Sequence, residues 1–289
     1  MKQLCVLGSL HLDVVVSADN LPQIDETVVG SEVNYVFGGK GGNQALAADG
    51  HGANVYFIGR VGKDAFGETL LATLRNSSID TSQVKQDTGA SGMSVAIINQ
   101  QGDYGAVIVS ESNLRIDNMD VMISEKTGIL LLQNEVPEEI NLSASAKAMK
   151  QGSQVWLNAA PARKISKELL NNLDVVIMNR PEALYYGDLF VSDESNHIIK
   201  VFTLGSEGLE VHFPNNKREY HAAHVIDVQS THGAGDMFVG ALAANYLKNN
   251  NFSNALKYAQ AAAAIKVSRN AADRTSVQET DVFKFLGNS

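Results

Sequence analysis

The stretch GILLLQNEVPEEINLSASAKAMKQGSQVWLNAAP (128–161) decides the fold. It opens on GILLLQNEVP (128–137), an apolar run of strand length, and closes on a second such run, SQVWLNAAP (153–161). Between them, NLSASAKAMKQG (141–152) has a helical composition and ends at glycine. Parallel strands need a long crossover connection, which is usually a helix. The stretch therefore predicts two parallel strands joined by a helix.

The same alternation continues along the chain in both directions. Further strand-like apolar runs are LCVLG (4–8), NVYFIGRVG (54–62), DVVIMN (174–179) and IKVFTLG (199–205). Helices are predicted within 43–52, 66–79, 164–173, 237–247 and 254–269. This order predicts an α/β fold, a three-layer sandwich whose mostly parallel central sheet is flanked by helices. Because no repeat or long linker interrupts it, residues 1–289 are expected to form one domain.

Two segments depart from this pattern. Residues 14–37 contain alternating β-formers and turn residues without a helix, and residues 91–110 are typical of a hairpin that turns at Gln101–Gly102. Neither segment fits easily into a parallel sheet. A small separate β-sheet that covers one end of the domain is therefore expected, and such lids exclude water from a reacting centre. An ordinary pair of surface hairpins is the alternative.

Composition narrows the function classes. The 289 residues include 23 Lys+Arg and 32 Asp+Glu, and the net charge of −9 argues against phosphate-backbone binding as the main function. Cys5 is the only cysteine, which excludes an internal disulfide and a cysteine zinc site. No apolar run reaches the roughly 18 residues of a membrane span, and a signal-peptide pattern is missing. A cytoplasmic protein is expected.

The segment STHGAGDMFVGAL (230–242) carries the clearest chemical signal. Gly233, Ala234 and Gly235 are small and directly precede a predicted helix, so their backbone N–H groups can converge on an anion beside the positive end of the helix dipole. Asp236 follows in the first turn. It is either a general base beside a phosphoryl group or an acid that only complements the helix dipole.

A second glycine cluster lies in FGGKGGNQALA (37–47), where Asn43 is predicted to open a helix. Glycines in such a cluster let the backbone approach a ligand closely. The spacing is not that of a P-loop, and the chain has no Gly-x-Gly-x-x-Gly fingerprint. A flexible turn followed by a helix cap is the structural alternative.

Three acidic motifs follow predicted strands. Asp13 in GSLHLD (8–13) and Glu135 in LLLQNEVP (130–137) lie where ligands bind in open α/β sheets, and each can accept hydrogen bonds from hydroxyl groups or remain a solvated acid. In NRPE (179–182), Asn179 and Glu182 are spaced to hold hydrated Mg²⁺ or to form a capping box.

Taken together, these motifs resemble the ribokinase family of sugar kinases over the whole chain and in the same order, with the ribokinases themselves as the best fit. GSLHLD resembles the sugar-binding strand end, and FGGKGGNQALAA and HGAGDMFVGAL resemble the two family signatures. NAAPA (158–162), NRPE and TLGSEG (203–208) are similar to the mid-chain pattern, and AQAAAAIKVSR (259–269) resembles the adenine-side helix.

The resemblance implies an ATP-dependent phosphotransferase that acts on a small sugar, such as ribose or a related pentose or ketose, with ATP and Mg²⁺. It implies that Asp236 is the catalytic base, with the amides of Gly233, Ala234 and Gly235 around the phosphoryl group. The implied sugar contacts are His11, Asp13, Gly39, Lys40, Gly41, Gly42, Asn43 and Glu135. The implied ATP contacts are Asn179, Thr203, Leu204, Gly205, Ser206, Glu207, Gly208, Gly235 and Gln260, with Glu182 near Mg²⁺. A homodimer joined through the lid is implied as well.

The departures of the chain from the family pattern include three substitutions. His11 stands where the family usually has Asn, Ser230 where it has Asp, and Lys266 where it has a small residue. The last two lie in the region that holds a monovalent cation in the family, which here would comprise Ser230, His232, Arg269, Ala271 and Ser276. Weak or absent activation by K⁺ is therefore expected.

Two other functions are kept open. A nucleoside kinase, or another small-molecule kinase of the same superfamily, would need an apolar or aromatic base pocket in the lid, where Tyr35 and Phe37 are the aromatic residues of segment 14–37. A catalytically silent sugar-binding regulator is possible because a fold does not fix an activity. The presence of Asp236, its glycines and Glu182 argues against that regulator.

Overall fold

In this computed structural model, residues 2–99, 101, 103–190, 195–269 and 277–287 are described. The strands are β1 (Gln3–Leu7), β2 (His11–Ala18), β3 (Gly30–Gly38), β4 (Val55–Gly62), β5 (Asp80–Asp87), β6 (Gly92–Ile98), β7 (Tyr104–Val109), β8 (Thr127–Gln133), β9 (Gln154–Asn158), β10 (Val175–Asn179), β11 (Ile199–Thr203), β12 (Leu209–His212) and β13 (Arg218–His221). The helices are α1 (Lys40–Gly50), α2 (Ala65–Arg75), α3 (Glu138–Lys150), α4 (Lys167–Asn171), α5 (Arg180–Tyr186), α6 (Ala234–Asn249), α7 (Phe252–Ser268) and α8 (Glu279–Gly287).

The central sheet has the strand order β13-β12-β11-β10-β9-β8-β1-β4-β5 in the described part of the chain. The seven strands from β11 to β5 pair in parallel, and the β12–β13 hairpin adds two antiparallel strands at one edge. The predicted mostly parallel sheet is thereby confirmed.

Helices cover both faces of this sheet. Successive side chains of a strand point to opposite faces, so alternate residues of one strand pack against different helices. Leu4 and Val6 of β1 pack in a core with residues of α1, α2, α6, α7 and α8. Cys5 and Leu7 of the same strand pack in a second core with residues of α3, α4 and α5. Burial on both faces explains why the inner strands are continuous apolar runs rather than alternating ones.

The two segments that break the alternation form a second, smaller sheet of order β3-β2-β6-β7, as predicted. In it, β2 pairs with β3 in antiparallel and with β6 in parallel register, and β7 closes the far edge beside β6. We call this sheet the lid. Its inner strand β2 begins at His11, so the lid starts at the predicted sugar-binding motif.

The start of one helix and the presence of three strands differ from the sequence prediction. Helix α1 begins at Lys40, three residues before Asn43, because Gly41 and Gly42 belong to its first turn. Strands β5, β12 and β13 were not predicted from the sequence. Strands β5 and β13 are the two edges of the sheet, and β12 lies next to β13. Polar residues such as those of DTSQVKQD (80–87) replace the apolar runs that mark the inner strands.

None of the helices in the described ranges combines the length and the apolar character that crossing a membrane requires.

Candidate active site

The candidate site lies at the carboxyl ends of the parallel strands, where open α/β sheets bind ligands. The chain leaves β1 at Gly8 and Ser9, β8 before Glu135, β10 at Asn179 and β11 at Thr203. Helices α1 and α6 point their N-termini at the same edge. A cavity of about 210 Å³ is lined there by Lys40, Asn158, Ala160, Ile177, Met178, Asn179, Glu182, Thr203, Gly233, Gly235, Asp236, Phe238 and Val239.

The start of α6 has the geometry of an anion cradle. Gly233 caps the helix in the left-handed conformation with φ 69°, which favours glycine. The Ala234 amide donates to the Thr231 carbonyl at 3.2 Å. The Gly235 and Asp236 amides belong to the first turn, whose N–H groups have no partner within the helix. A Cβ on Gly235 would meet none of the described atoms within 4 Å, so the space beside this turn is open.

The Asp236 carboxylate is held by two side-chain amides from α1. Gln44 Nε2 donates to Oδ1 at 2.9 Å, and Asn43 Nδ2 lies 3.4 Å from Oδ2. Burial raises the pKa of Asp236, while the Lys40 charge opposes that rise. A carboxylate with a raised pKa beside helix amides can accept a proton, whereas an acid that only complements the dipole needs no such burial.

The Asp13 carboxylate of β2 lies in the motif that is predicted to bind sugar. Ser94 on the neighbouring strand β6 donates its hydroxyl to Asp13 Oδ1 at 2.6 Å. A Cβ on Gly38 would stand 2.3 Å from Asp13 Oδ2, so that glycine leaves room for the carboxylate. Since Ser94 engages one carboxylate oxygen, the other can accept a ligand hydroxyl.

Glu135 joins β8 to the start of α1. Its Oε2 accepts the Lys40 backbone N–H at 2.8 Å and the Ser9 hydroxyl. Its Oε1 lies 4.0 Å from Lys40 Nζ. Glu135 thus caps the start of α1, although it follows β8 in the chain. Its other carboxylate oxygen, Oε1, faces Lys40 and could accept a hydrogen bond from a ligand.

The glycines at the start of α1 are required by close packing. A Cβ on Gly41 would lie 2.7 Å from backbone atoms of Gly8 and Ser9, and one on Gly42 would lie 2.7 Å from the Phe37 ring. Gly39 has φ 87°. These residues let α1 start directly above the end of β1, which brings Lys40 and Asn43 into the site.

His11 is 3 % exposed, and its Nε2 is buried without a hydrogen-bond partner among the described residues. Burial lowers the pKa of His11, although the Glu135 and Asp13 carboxylates oppose that effect. Nε2 of a neutral imidazole can donate a hydrogen bond to a ligand hydroxyl or accept one from it, depending on the tautomer.

At the start of α5, Asn179 and Glu182 form a capping box. Asn179 Oδ1 accepts the Glu182 N–H at 2.9 Å, and Glu182 Oε2 accepts the Asn179 N–H at 2.8 Å. Both residues also line the cavity. The structural alternative for NRPE is therefore correct, and the Glu182 carboxylate, whose pKa burial raises, still faces the site.

The TLGSEG segment continues from β11 into a short 3-10 turn at Gly205–Glu207. Thr203 lines the cavity, whereas Leu204, Ser206 and the following residues are not among its lining. Glu207 forms an ion pair with Arg180. A Cβ on Gly208 would clash with the His221 carbonyl at 2.0 Å, so the turn is pressed against β13.

Gln260 of α7 lies farther from the cavity. Its Nε2 donates to the His221 and Ala222 carbonyls at 3.2 and 3.0 Å. It therefore fixes the chain that leaves β13, beside the TLGSEG turn.

The predicted monovalent-ion region is described in part. The Ser230 amide donates to the Val267 carbonyl at 3.2 Å, the His232 amide to Ser230 Oγ at 3.3 Å, and Arg269 pairs with Asp281 at 3.2 Å. Ala271 and Ser276 lie outside the described residues. A Cβ on Gly233 would stand 2.9 Å from Lys266 Cε, so the lysine stem runs beneath the anion cradle.

Sequence reasoning missed three residues that hold the site together: Ser9, Gln44 and Ser94. Gln44 had a readable signal, because it is a polar residue within the small-residue run NQALAA of a predicted helix. Ser9 and Ser94 had none, since their partners lie 126 and 81 positions away.

Comparison with known protein families gives a match over nearly the full length. The model of the family described as "pfkB family carbohydrate kinase" matches residues 1–279. A curated ribokinase of Haemophilus influenzae is 32 % identical, with 99 % of this chain and 98 % of the relative covered. The ribokinase of Bacillus subtilis is 30 % identical, with 92 % and 93 % covered.

Among solved structures, Arabidopsis thaliana ribokinase complexed with ribose and ATP is similar over 100 % of this chain and 99 % of its own, with a TM-score of 0.91 and 27 % identity.

Proposed function

Because this chain belongs to the pfkB family of carbohydrate kinases, we propose that it transfers the γ-phosphoryl group of ATP to a hydroxyl of ribose or a related pentose or ketose. One observation carries this proposal: the Asp236 carboxylate and the open first turn of α6 face the cavity that Lys40, Glu182 and Thr203 also line. A base and an anion cradle at one point are what phosphoryl transfer to a hydroxyl requires.

The sugar is held by Asp13, His11, Asn43, Glu135 and the backbone at Gly39–Gly42. The free side of Asp13 and the buried Nε2 of His11 support this assignment, since each has capacity for a hydroxyl. Lys40 lies between this end and the cavity, where its charge balances the carboxylates around it.

The transfer step follows from the positions of Asp236 and α6. The acceptor hydroxyl lies against Asp236, which takes its proton as the oxygen attacks the γ-phosphorus. The new O–P bond forms while the bond from the γ-phosphorus to the bridging oxygen breaks, and ADP leaves with that electron pair. The Gly235 amide and its neighbours in the cradle stabilise the charge on the phosphoryl oxygens. Lid closure excludes water, which would otherwise compete as the acceptor.

ATP would extend from the cradle toward Asn179, Thr203 and the TLGSEG turn, with Gln260 on the far side. Mg²⁺ usually keeps several waters and binds through one or two carboxylates together with phosphate oxygens. Glu182 fits this role, because its Oε2 is engaged in the capping box while the carboxylate still faces the cavity. Mg²⁺ would neutralise phosphate charge there.

One face of the lid presents an exposed apolar surface that includes Val33, Tyr35, Val95 and Val107. We infer that a second copy of the chain covers it and forms a homodimer. The use of ATP fits a cytoplasmic location.

The test is ADP release with ribose, other pentoses, fructose, their phosphates and nucleosides as acceptors. We expect the highest kcat/KM with ribose or a related free sugar. A preference for nucleosides would favour the other small-molecule kinases, and tight sugar binding without turnover would favour a silent regulator.

A further inference from the structure

Gln44 is a fully buried amide between the candidate base and the central sheet. Its exposure is 0 %, and its Nε2 donates both to Asp236 Oδ1 and to Asn158 Oδ1, each at 2.9 Å. Its Oε1 accepts from Gln133 Nε2 at 2.8 Å. Gln44 therefore uses both of its N–H groups and its oxygen inside the protein.

The direction of every bond in this network is determined by one backbone carbonyl. Asn158 Nδ2 donates to the Ile177 carbonyl at 3.3 Å, and a carbonyl can only accept. The Asn158 oxygen must then face Gln44, so Gln44 must present its NH₂ group there and its oxygen to Gln133. The same NH₂ group reaches Asp236. A flipped Gln44 would set its oxygen against both the Asp236 carboxylate and the Asn158 oxygen.

The position of Gln44 is equally constrained by the backbone. Helices α1 and α6 approach so closely that a Cβ on Gly240 would stand 2.5 Å from the Gln44 carbonyl. On the sheet side, a Cβ on Gly8 would stand 2.0 Å from Gln133 Oε1. Close packing on the helix side and on the sheet side therefore fixes where the Gln44 amide lies relative to Asp236.

We propose that Gln44 is a positioning residue for the phosphoryl-transfer step: by donating to Asp236 Oδ1 from a network anchored in the central sheet, it aims Oδ2 at the acceptor hydroxyl. This rests on the proposed function of Asp236 as the base. Asn43 lies at the other oxygen at 3.4 Å, which is long for a strong hydrogen bond, so Gln44 supplies the firmer restraint. The role requires no contact between Gln44 and substrate.

The test is Gln44→Met, which keeps the length of the side chain and removes its donor. A hydrogen bond to a charged group contributes enough that its loss should lower kcat about 10- to 100-fold. The affinities for ATP and for the sugar, measured by calorimetry, should stay within a factor of about two, because neither ligand's contacts are removed. Asn245→Ala is the matched control, since it removes a buried amide of α6 whose side chain is bonded to Asn249.

A double-mutant cycle separates positioning from a merely structural role. In an Asp236→Asn background, Gln44→Met should cause little further loss of kcat, because there is no longer a carboxylate to aim. A Gln44→Met enzyme with wild-type kcat and a lowered Tm would overturn the proposal. So would equal losses from Gln44→Met in the wild-type and Asp236→Asn backgrounds.

If Gln44→Met does not fold, Gln44→Glu keeps the shape and sets an oxygen against Asp236 Oδ1. It should lower kcat at least as far, and wild-type kcat in that variant would also overturn the proposal. Failure of the proposed function has a different signature: Asp236→Asn itself would then stay active.

Discussion

At the scale of single residues, the chemistry depends on how the protein treats the Asp236 charge. Burial disfavours the ionised carboxylate, while the Lys40 cation and two amide donors favour it. The balance leaves a carboxylate whose pKa is higher than that of an exposed aspartate. Asp13 accepts a hydrogen bond from the Ser94 hydroxyl at one carboxylate oxygen.

Asp236→Asn keeps the shape of the side chain and removes the proton acceptor. General-base contributions are about 10²- to 10⁴-fold, so kcat should fall by at least about 10²-fold. ATP and sugar should still bind, because the cradle and the hydroxyl contacts remain. Turnover is measured by ADP release and both affinities by calorimetry on one preparation. A variant within about tenfold of wild-type kcat and with an unchanged Tm would mean that Asp236 only complements the helix dipole.

Asp13→Ala should leave sugar hydroxyls without an acceptor. We expect kcat/KM for the sugar to fall by an amount that corresponds to a loss of about 2–4 kcal/mol of transition-state stabilisation, with little change in ATP affinity. Ser94→Ala is the matched control, since it removes the supporting donor and keeps the carboxylate, and its loss should be smaller. Loss of ATP binding with sugar binding intact would contradict the assignment.

The pH dependence follows from the sign of the Asp236 shift. The base must be ionised, and burial raises its pKa, so activity should be lost as pH falls through a value above the ordinary pKa of about 3.9. Glu135 and Glu182 add negative charge nearby, and the Lys40 cation opposes them. Lys40→Met should therefore move the acid limb of kcat/KM to higher pH. Lys63→Met, at an exposed lysine, is the control. The explanation would be wrong if Lys63→Met moved the acid limb as far as Lys40→Met does, or if Lys40→Met moved it to lower pH.

At the scale of elements, the site depends on the junction of α1, α6 and α7. Helix α1 starts above the end of β1 because its glycines have no side chains, and α6 packs against α1 at Gly240. The C-terminal end of α7 then meets the start of α6, where the Gln229 and Ser230 amides donate to the Val267 carbonyl.

This junction predicts how the enzyme responds to monovalent cations. Ser230 carries no charge, and the Lys266 stem already runs beneath Gly233. We expect weak or absent stimulation of kcat by K⁺ compared with a bulky organic cation at equal ionic strength. The double substitution Ser230→Asp with Lys266→Ala should introduce stimulation by K⁺. Many-fold activation of the unmodified chain would show that backbone carbonyls suffice for the ion.

At the scale of the whole molecule, the helices bury both faces of the central sheet, whereas several apolar side chains in the described part of the lid are exposed. On one face of the lid, Val107 of β7 is 66 % exposed, Tyr35 of β3 is 60 % exposed, and Val95 of β6 between them is exposed as well. Apolar residues this exposed and this close together usually mark an interface.

The homodimer proposal predicts twice the monomer mass in sedimentation equilibrium. Val107→Lys with Val33→Lys should shift the equilibrium to monomers, because two buried charges on the same face would oppose association. Met149→Lys is the control, since it places a charge on an exposed apolar position of α3, outside the lid. A wild-type chain that stays monomeric at high concentration would refute the homodimer.

The sequence by itself determined the α/β fold, the separate lid and the order of the functional motifs. These depend on local signals: inner strands buried on both faces must be continuous apolar runs, and the lid strands show the β-formers and turns that the central pattern lacks. The start of α6 at the HGAGD motif, with Asp236 in its first turn, was also predictable from local sequence. A glycine before a helix can adopt the left-handed backbone conformation found at Gly233.

The tertiary structure alone decided which polar groups meet. Ser9 reaches Glu135 and Ser94 reaches Asp13 across long sequence separations, and no local pattern encodes such partners. The hydrogen-bond network through Gln44 exists because α1 and α6 pack closely over the end of β8. The outer strands β5, β12 and β13 were not predicted for a related reason. They pair with a sheet that already exists, and strands at or next to its edge need no continuous apolar run.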